Sequence, residues 1–232
     1  VKIELTLEES GIKTPLTFEF KRMINAGYTG RNQAEVRAHI DELAQKGIPG
    51  PAVTPTMYPV IARTLVTDNE IEVYSNETSG EAEYVLLIDG DGTIYVGVGS
   101  DHTDRHLEET DIPRAKQICP NVISSVVWRL DEVSAHWDEL ELASTITVEG
   151  KVIAYQKGTL GALMSPAELM EFIEANVEGD LKNTVIFSGT LANLLGEFGF
   201  GERFDTELVD PKLGRKLTAG YAALPLDYAK ED

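Results

Sequence analysis

The chain has one cysteine, Cys119, among its 232 residues. A single thiol closes no internal disulfide, and it excludes Cys-rich zinc and iron–sulfur sites. It also points to a reducing compartment. Cys119 is either a nucleophile or an inert, half-buried thiol, and the second is the ordinary fate. No apolar run approaches the ~20 residues of a membrane span, and no signal-peptide pattern is present. Basic residues are scarce: 20 Lys and Arg stand against 39 Asp and Glu, for a net charge of −19. Nucleic acid and anionic membranes need clustered Lys and Arg, so neither is an expected partner. Most of the acidic groups read as a solvated surface. The expectation is a soluble, cytoplasmic protein. What remains is ordinary, with 42% hydrophobic and 7% aromatic residues. The length suits one large domain or two small ones.

Apolar and polar residues alternate through Ile3, Leu5 and Leu7, then Leu16, Phe18 and Phe20. With Glu8-Glu9-Ser10-Gly11 between them, residues 1–25 predict a β-hairpin. Val36, Ile40 and Leu43 share a helical face, and Gly47 with Pro49 ends that helix near residue 46. Pro49, Pro51, Pro55 and Pro59 make residues 48–59 an extended, stiff connection. Strands are predicted at 59–66, 71–75, 83–88, 93–99, 122–129, 141–148 and 151–157. Turns at Asp89-Gly90-Asp91-Gly92 and Glu149-Gly150 punctuate them. Ser165 caps and Pro166 starts a helix over 166–177, with Leu169, Phe172 and Ile173 on one face. Strands follow at 184–187, 203–209 and 215–224. The fold class is β-rich α+β with few helices. The expected organisation is an N-terminal hairpin and helix segment over residues 1–58 and a β-rich domain over residues 59–232.

The chemistry concentrates in acidic residues. Glu81 and Glu83 are two apart at a strand, so they share a face. Two carboxylates on one face of an apolar strand repel and are costly to bury. A divalent cation resolves that conflict, and Asp101 can complete its oxygen shell. Three carboxylates make a hard site suited to Mg²⁺ or Mn²⁺, with Ca²⁺ an alternative. The plainer readings are an exposed polar strand end for Glu81 and Glu83, and a turn residue for Asp101. His102 and Asp104 either support the ligands or sit on the surface; a histidine ligand would point to a softer metal.

Several patterns, in order, resemble the fumarylacetoacetate hydrolase superfamily. These are Gly30-Arg31-Asn32, His39-Ile40-Asp41-Glu42, the stretch Pro49 to Pro59, Glu81-Ala82-Glu83, Ser100-Asp101 with Arg105, then Lys116, and Val185 to Ser188-Gly189-Thr190. The resemblance spans roughly residues 28–220 and places the chain on a divergent bacterial branch. The Glu83–Asp101 interval is short, as if a helical insertion were missing. Ser188 replaces a threonine. Met57-Tyr58 lacks the lysine that commonly ends the proline-rich stretch. The loop from Leu191 to Gly201 is not the usual Gly/Pro-rich one. The resemblance implies a rolled, mixed β-sheet with the site at its mouth, and a homodimer.

It also implies roles. Glu81, Glu83 and Asp101 would hold the metal. His39 and Glu42, three apart on a helix, would activate water, with Glu42 orienting His39. Flanking glycines make that helix a possible lid. The alternative is a solvated surface pair. Lys116 is a catalytic candidate, and Arg105 and Thr190 are candidates for contacts to a substrate carboxylate or enolate. Arg105 and Lys116 alternatively neutralise the acidic cluster, and Thr190 is alternatively a plain turn residue. Tyr155, Gln156, Trp128 and Trp137 line a pocket or pack in the core. The implied function is a metal-dependent hydrolase that cleaves a C–C bond in a small β-diketo or 2-oxo acid, acylpyruvate-like, through a metal-stabilised enolate. The partner is a small carboxylic-acid substrate. A lyase or isomerase on the same site is the first alternative: an oxo-acid decarboxylase, a tautomerase, or a sugar-acid dehydratase or hydratase. A non-catalytic metal- or ligand-binding protein is the second.

Overall fold

The computed structural model describes residues 1–45, 50–51 and 53–228; the side chains of residues 39 and 42–45 fall outside that description. The N-terminal alternation forms the expected hairpin, Lys2–Glu9 against Ile12–Glu19. Its two-residue connection puts Ser10 at φ 50° and Gly11 at φ 77°. Two positive-φ residues match the right-handed twist of the flanking strands. Leu5 and Phe18 are buried under it.

Two sheets carry the fold. The larger runs Ile12–Glu19, Lys2–Glu9, Val126–Arg129, Ile94–Asp101, Ala82–Ile88, Thr184–Phe187, Arg22–Gly27, Thr56–Val60. The smaller runs Lys151–Thr159, Glu141–Val148, Arg203–Asp210, Arg215–Pro225, Glu70–Val73. Parallel and antiparallel pairs occur in both. Ala82–Ile88 lies mid-sheet, and every residue in it is buried. Ala82, Tyr84, Leu86 and Ile88 join Phe204, Leu208, Leu217 and Tyr221 in one apolar core. Val85 and Leu87 join Phe18, Phe20, Ile123 and Phe187 in a second core on the other face. Each fully buried aliphatic side chain contributes roughly 1.5–3 kcal/mol, so this strand is fixed from both faces.

Three sequence expectations need correction. The strand expected over 59–66 is instead Thr56–Val60, a short 3₁₀ turn at Ala62–Thr64, and Leu65–Val66. Pro59 is accommodated because its strand lies at the edge of the sheet path. The strand expected over 122–129 breaks at Ser124-Ser125, giving Asn121–Ile123 and Val126–Arg129. There the Ser124 hydroxyl donates to Val126 O and accepts from Val98 N–H, replacing ladder bonds. The helix expected over 166–177 is Pro166–Glu174, with the Ser165–Glu168 capping box in place. Two short helices, Arg105–Glu108 and Ile112–Ile118, follow the strand ending at Asp101. Strands on both sides of residue 58 share the larger sheet, and Thr56–Val60 runs across that position. Among the described residues, no helix is long and apolar enough to cross a membrane.

Candidate metal centre

Glu81 precedes the strand Ala82–Ile88, and Glu83 is its second residue. Alternation sends Glu83 to the face of Val85 and Leu87, away from Tyr84 and Leu86. Gly99 is directly opposite Glu83 across the ladder. A β-carbon at 99 would come within 2.5 Å of Val122 O and 2.8 Å of the Phe187 ring, so only glycine fits there. Asp101 ends the partner strand, and its N–H donates to Glu81 O at 3.2 Å. One carboxylate oxygen from each of Glu81, Glu83 and Asp101 lies within 4.8 Å of the others. Glu83 and Asp101 are buried, and Glu81 is half-buried.

Two cations hold this cluster together. Lys116 Nζ donates to Asp101 Oδ2 at 2.5 Å and lies 3.7 Å from Glu81. Arg105 pairs with Glu81 at 3.2 Å and with Glu108 at 2.7 Å, and donates through Nε to Ser79. Burial alone would lower the basicity of both groups. The facing carboxylates outweigh it, Glu81 and Glu108 for Arg105 and Asp101 and Glu81 for Lys116, and raise both. Glu83 is the unmatched member. Burial, then Asp101 and Glu81, push its carboxyl well above the usual range, against the Gly189 N–H that donates to it at 2.8 Å. With Glu83 ionised, as a bound cation would require, Glu81, Glu83, Asp101 and Glu108 against Arg105 and Lys116 leave two negative charges. An all-oxygen donor set with that imbalance fits a hard divalent cation.

The remaining sequence-predicted residues distribute as follows. Thr190 follows Gly189, whose φ of 84° is the left-handed region. The Thr190 hydroxyl donates to Ala82 O at 2.7 Å and accepts from Gln156 Nε2 at 2.6 Å. Gln156 also accepts from Ala82 N–H and donates to Leu191 O. It therefore ties the Ser188-Gly189-Thr190 turn to the start of the acidic strand. His39 and Glu42 lie in the helix Gln33–Gln45, but their side chains are outside the described part. His102 is buried, and its Nδ1 bonds the Tyr221 hydroxyl at 2.8 Å, which in turn bonds Ser100 Oγ at 2.7 Å. Asp104 caps the helix Arg105–Glu108 by accepting from Leu107 N–H. Trp128, Trp137 and Tyr155 pack in the core. Cys119 is fully buried, and burial with Asp104 and Asp101 pushes its thiol up to about 12.

Three residues at the site gave little sequence signal. Asn121 is the ladder partner of Asp101, and its side chain donates to Asn25 Oδ1 at 3.0 Å. Asn25 Nδ2 and Asn121 Oδ1 are buried without partners. Tyr28 has a φ of 57°, uncommon outside glycine. Its phenol is raised by burial, Tyr58, Glu108 and Glu81, which marks its proximity to the acidic cluster. Polar residues inside strands that read as apolar, such as Asn25 in Arg22–Gly27, are the only trace these positions leave in the sequence.

Solved structures share this fold. One described as 2-keto-3-deoxy-D-arabinonate dehydratase complexed with magnesium and 2,5-dioxopentanoate matches with a TM-score of 0.66 at 16% identity, over 89% of this chain and 74% of that one. The 5-carboxymethyl-2-hydroxymuconate delta-isomerase from Mycobacterium smegmatis matches at 0.62 and 17%, over 93% and 84%. The fumarylacetoacetate hydrolase from psychrophilic Exiguobacterium antarcticum matches at 0.61 and 13%, over 94% and 83%. At these identities the likeness is one of fold, and the fold is of the fumarylacetoacetate hydrolase type. No curated protein matches the chain. Residues 26–221 match the family described as "Protein of unknown function (DUF2848)", and the chain belongs to that family.

Proposed function

We propose that this protein is a divalent-metal-dependent hydrolase that cleaves a carbon–carbon bond in a small β-diketo or 2-oxo acid. The observation that carries the reading is the convergence of Glu81, Glu83 and Asp101 on one buried point. These three would hold Mg²⁺ or Mn²⁺. When bound, the cation supplies Lewis acidity toward two neighbouring substrate oxygens. Lys116 stays protonated beside its carboxylates, so it serves as a fixed positive charge for negative charge developing on the substrate and not as a base. Arg105 spends its donors on Glu81, Glu108 and Ser79, so its part is to orient Glu81. The Thr190 hydroxyl is engaged by Ala82 and Gln156, which leaves its backbone N–H for a substrate carboxylate. Proton removal from water falls to His39, oriented by Glu42, on the helix Gln33–Gln45 acting as a lid.

A lyase or isomerase is the second reading. Structures sharing the fold are described as a dehydratase and an isomerase as well as a hydrolase. A fixed cation at Lys116 serves those reactions equally well. Two measurements test the proposal. Glu83→Ala should lose Mn²⁺ binding by calorimetry; unchanged affinity sinks the metal assignment. Acetylpyruvate with Mg²⁺ should yield pyruvate, read by a coupled dehydrogenase, and His39→Ala should abolish that release. Loss of water from a sugar acid without any C–C cleavage would instead establish the lyase reading.

A further inference from the structure

Beside the acidic cluster, the loop from Leu191 to Gly201 has a chemistry unlike the rest of this acidic chain. It holds one charged residue, Glu197, and no Lys or Arg. Four large apolar side chains fall within seven residues and stay open to solvent: Leu194 at 57%, Leu195 at 44%, Phe198 at 48% and Phe200 at 44%. Scattered exposed apolar residues are ordinary, but a cluster of them marks a contact surface.

The loop is also held in place. Leu194 N–H donates to Tyr155 O at 2.7 Å, and Gly199 N–H to the Tyr155 hydroxyl at 3.3 Å. Asn193 Oδ1 accepts from Leu195 and Gly196 N–H at 3.0 and 2.8 Å. The apolar side chains are therefore presented by a bonded backbone. Phe198 connects the loop to the site: its ring lies over the Arg105 guanidinium, 4.3 Å from ring centre to Cζ. That guanidinium is paired with Glu81. The Phe198 ring thus borders the group that positions a proposed metal ligand.

The cations at the cluster add a second constraint. Among the described residues, Arg105 is engaged by Glu81 and Glu108, and Lys116 by Asp101 and Glu81. A substrate with a second carboxylate at its far end would meet carboxylates and an aromatic ring, with both of these positive charges already balanced.

We propose that the loop from Leu191 to Gly201, through Phe198, is the specificity wall of the site, and that it selects monocarboxylic oxo acids with an uncharged, apolar tail. The inference rests on the oxo-acid reading above, because it needs a polar head bound at the carboxylate cluster.

The test is a calorimetric series on the Mn²⁺-loaded protein with pyruvate, 2-oxobutanoate, 2-oxohexanoate, phenylpyruvate and 2-oxoglutarate, with oxalate as a head-only probe. Each methylene should tighten binding about two- to fourfold, so that 2-oxohexanoate, three methylenes longer, exceeds pyruvate by roughly eight- to sixtyfold. 2-Oxoglutarate should bind more weakly than 2-oxohexanoate. Phe198→Ala should collapse the hexanoate-to-pyruvate ratio to about twofold or less, and Phe198→Leu should keep most of it. The ratio is the readout, because a general loss of folding would lower both affinities together. A flat series with oxalate still bound overturns the apolar wall and leaves the metal reading standing. No binding of Mn²⁺ or oxalate overturns both. A Phe198→Ala variant with an intact ratio but an altered monomer–dimer equilibrium in sedimentation would show that a second copy covers the patch, and would also overturn the inference.

Discussion

Glu83 carries a carboxyl that burial, Asp101 and Glu81 hold well above its usual value of 4.5. Over the window between the two values, the folded metal-free protein binds a proton that the unfolded chain does not. Stability of the metal-free form therefore declines as pH rises through that window. A cation must displace the same proton, so Mn²⁺ affinity should climb with pH, by up to about tenfold per unit, and then level off. Calorimetry between about pH 5 and 8 reads this directly, and a flat profile would contradict the buried, proton-bearing Glu83. His102 does not confuse the result. Burial and the nearby Arg105, partly offset by Glu81, lower it to about 3, so it stays neutral throughout. The acidic cluster was legible in the sequence because carboxylates on an apolar strand are chemically conspicuous. The engagement of Arg105 was not, since nothing in the spacing of Ser79, Glu81, Arg105 and Glu108 says that they meet. Asn25 and Asn121 were silent for the same reason: their side chains meet only in the fold, 96 residues apart.

At the scale of elements, the helix that carries His39 and Glu42 is anchored at its start. Arg31 donates to both Asp138 oxygens at 2.6 and 2.7 Å and to Leu163 O at 3.0 Å. The Arg31 N–H donates to Ala162 O and the Met164 N–H to Thr29 O. This staple ties the approach to the helix to the short turn Leu160–Ala162. The pair is partly exposed, so removing it should cost at most about 1 kcal/mol globally. Its local effect should be larger. Arg31→Ala should speed amide exchange in residues 33–45 and 160–164 while amides of Ala82–Ile88 keep their protection. Unchanged exchange in the helix would mean that the staple does not hold it. Elements with a clean period were readable: the first hairpin, the helix from Pro166 and the strands from Glu141 to Thr159. Elements set by side-chain bonding were not. Ser124 breaks a strand through its hydroxyl. The helix Ile112–Ile118 is too short for a period to show, and it buries Lys116 on its inner face because Asp101 is there to receive the charge.

For the whole molecule, the net charge of −19 and the two negative charges left at the cluster once Glu83 gives up its proton act in the same direction. Cation binding should therefore stabilise the fold as well as equip the site. At a free Mn²⁺ concentration about 100 times its dissociation constant, the gain is about 2.7 kcal/mol, or roughly 5–10 °C in melting temperature for a chain of this size. Scanning calorimetry with Mn²⁺ and then with excess chelator should show the rise and its reversal, and Glu83→Ala should show neither. A rise of the same size in that variant would place the bound ion elsewhere on the acidic surface.

All three carboxylates lie at the open end of one hairpin, Ala82–Ile88 against Ile94–Asp101. Its closed end, Asp89 to Thr93, is a solvent-facing turn with Gly90, Asp91 and Gly92 exposed. Seven residues of extended chain separate the two ends, about 20 Å. A fluorophore or spin label attached at Asp91 would ride on the same rigid ladder as the carboxylates without touching them. Paramagnetic Mn²⁺ seated at the far end would then announce its arrival through a distance that the sheet itself has calibrated.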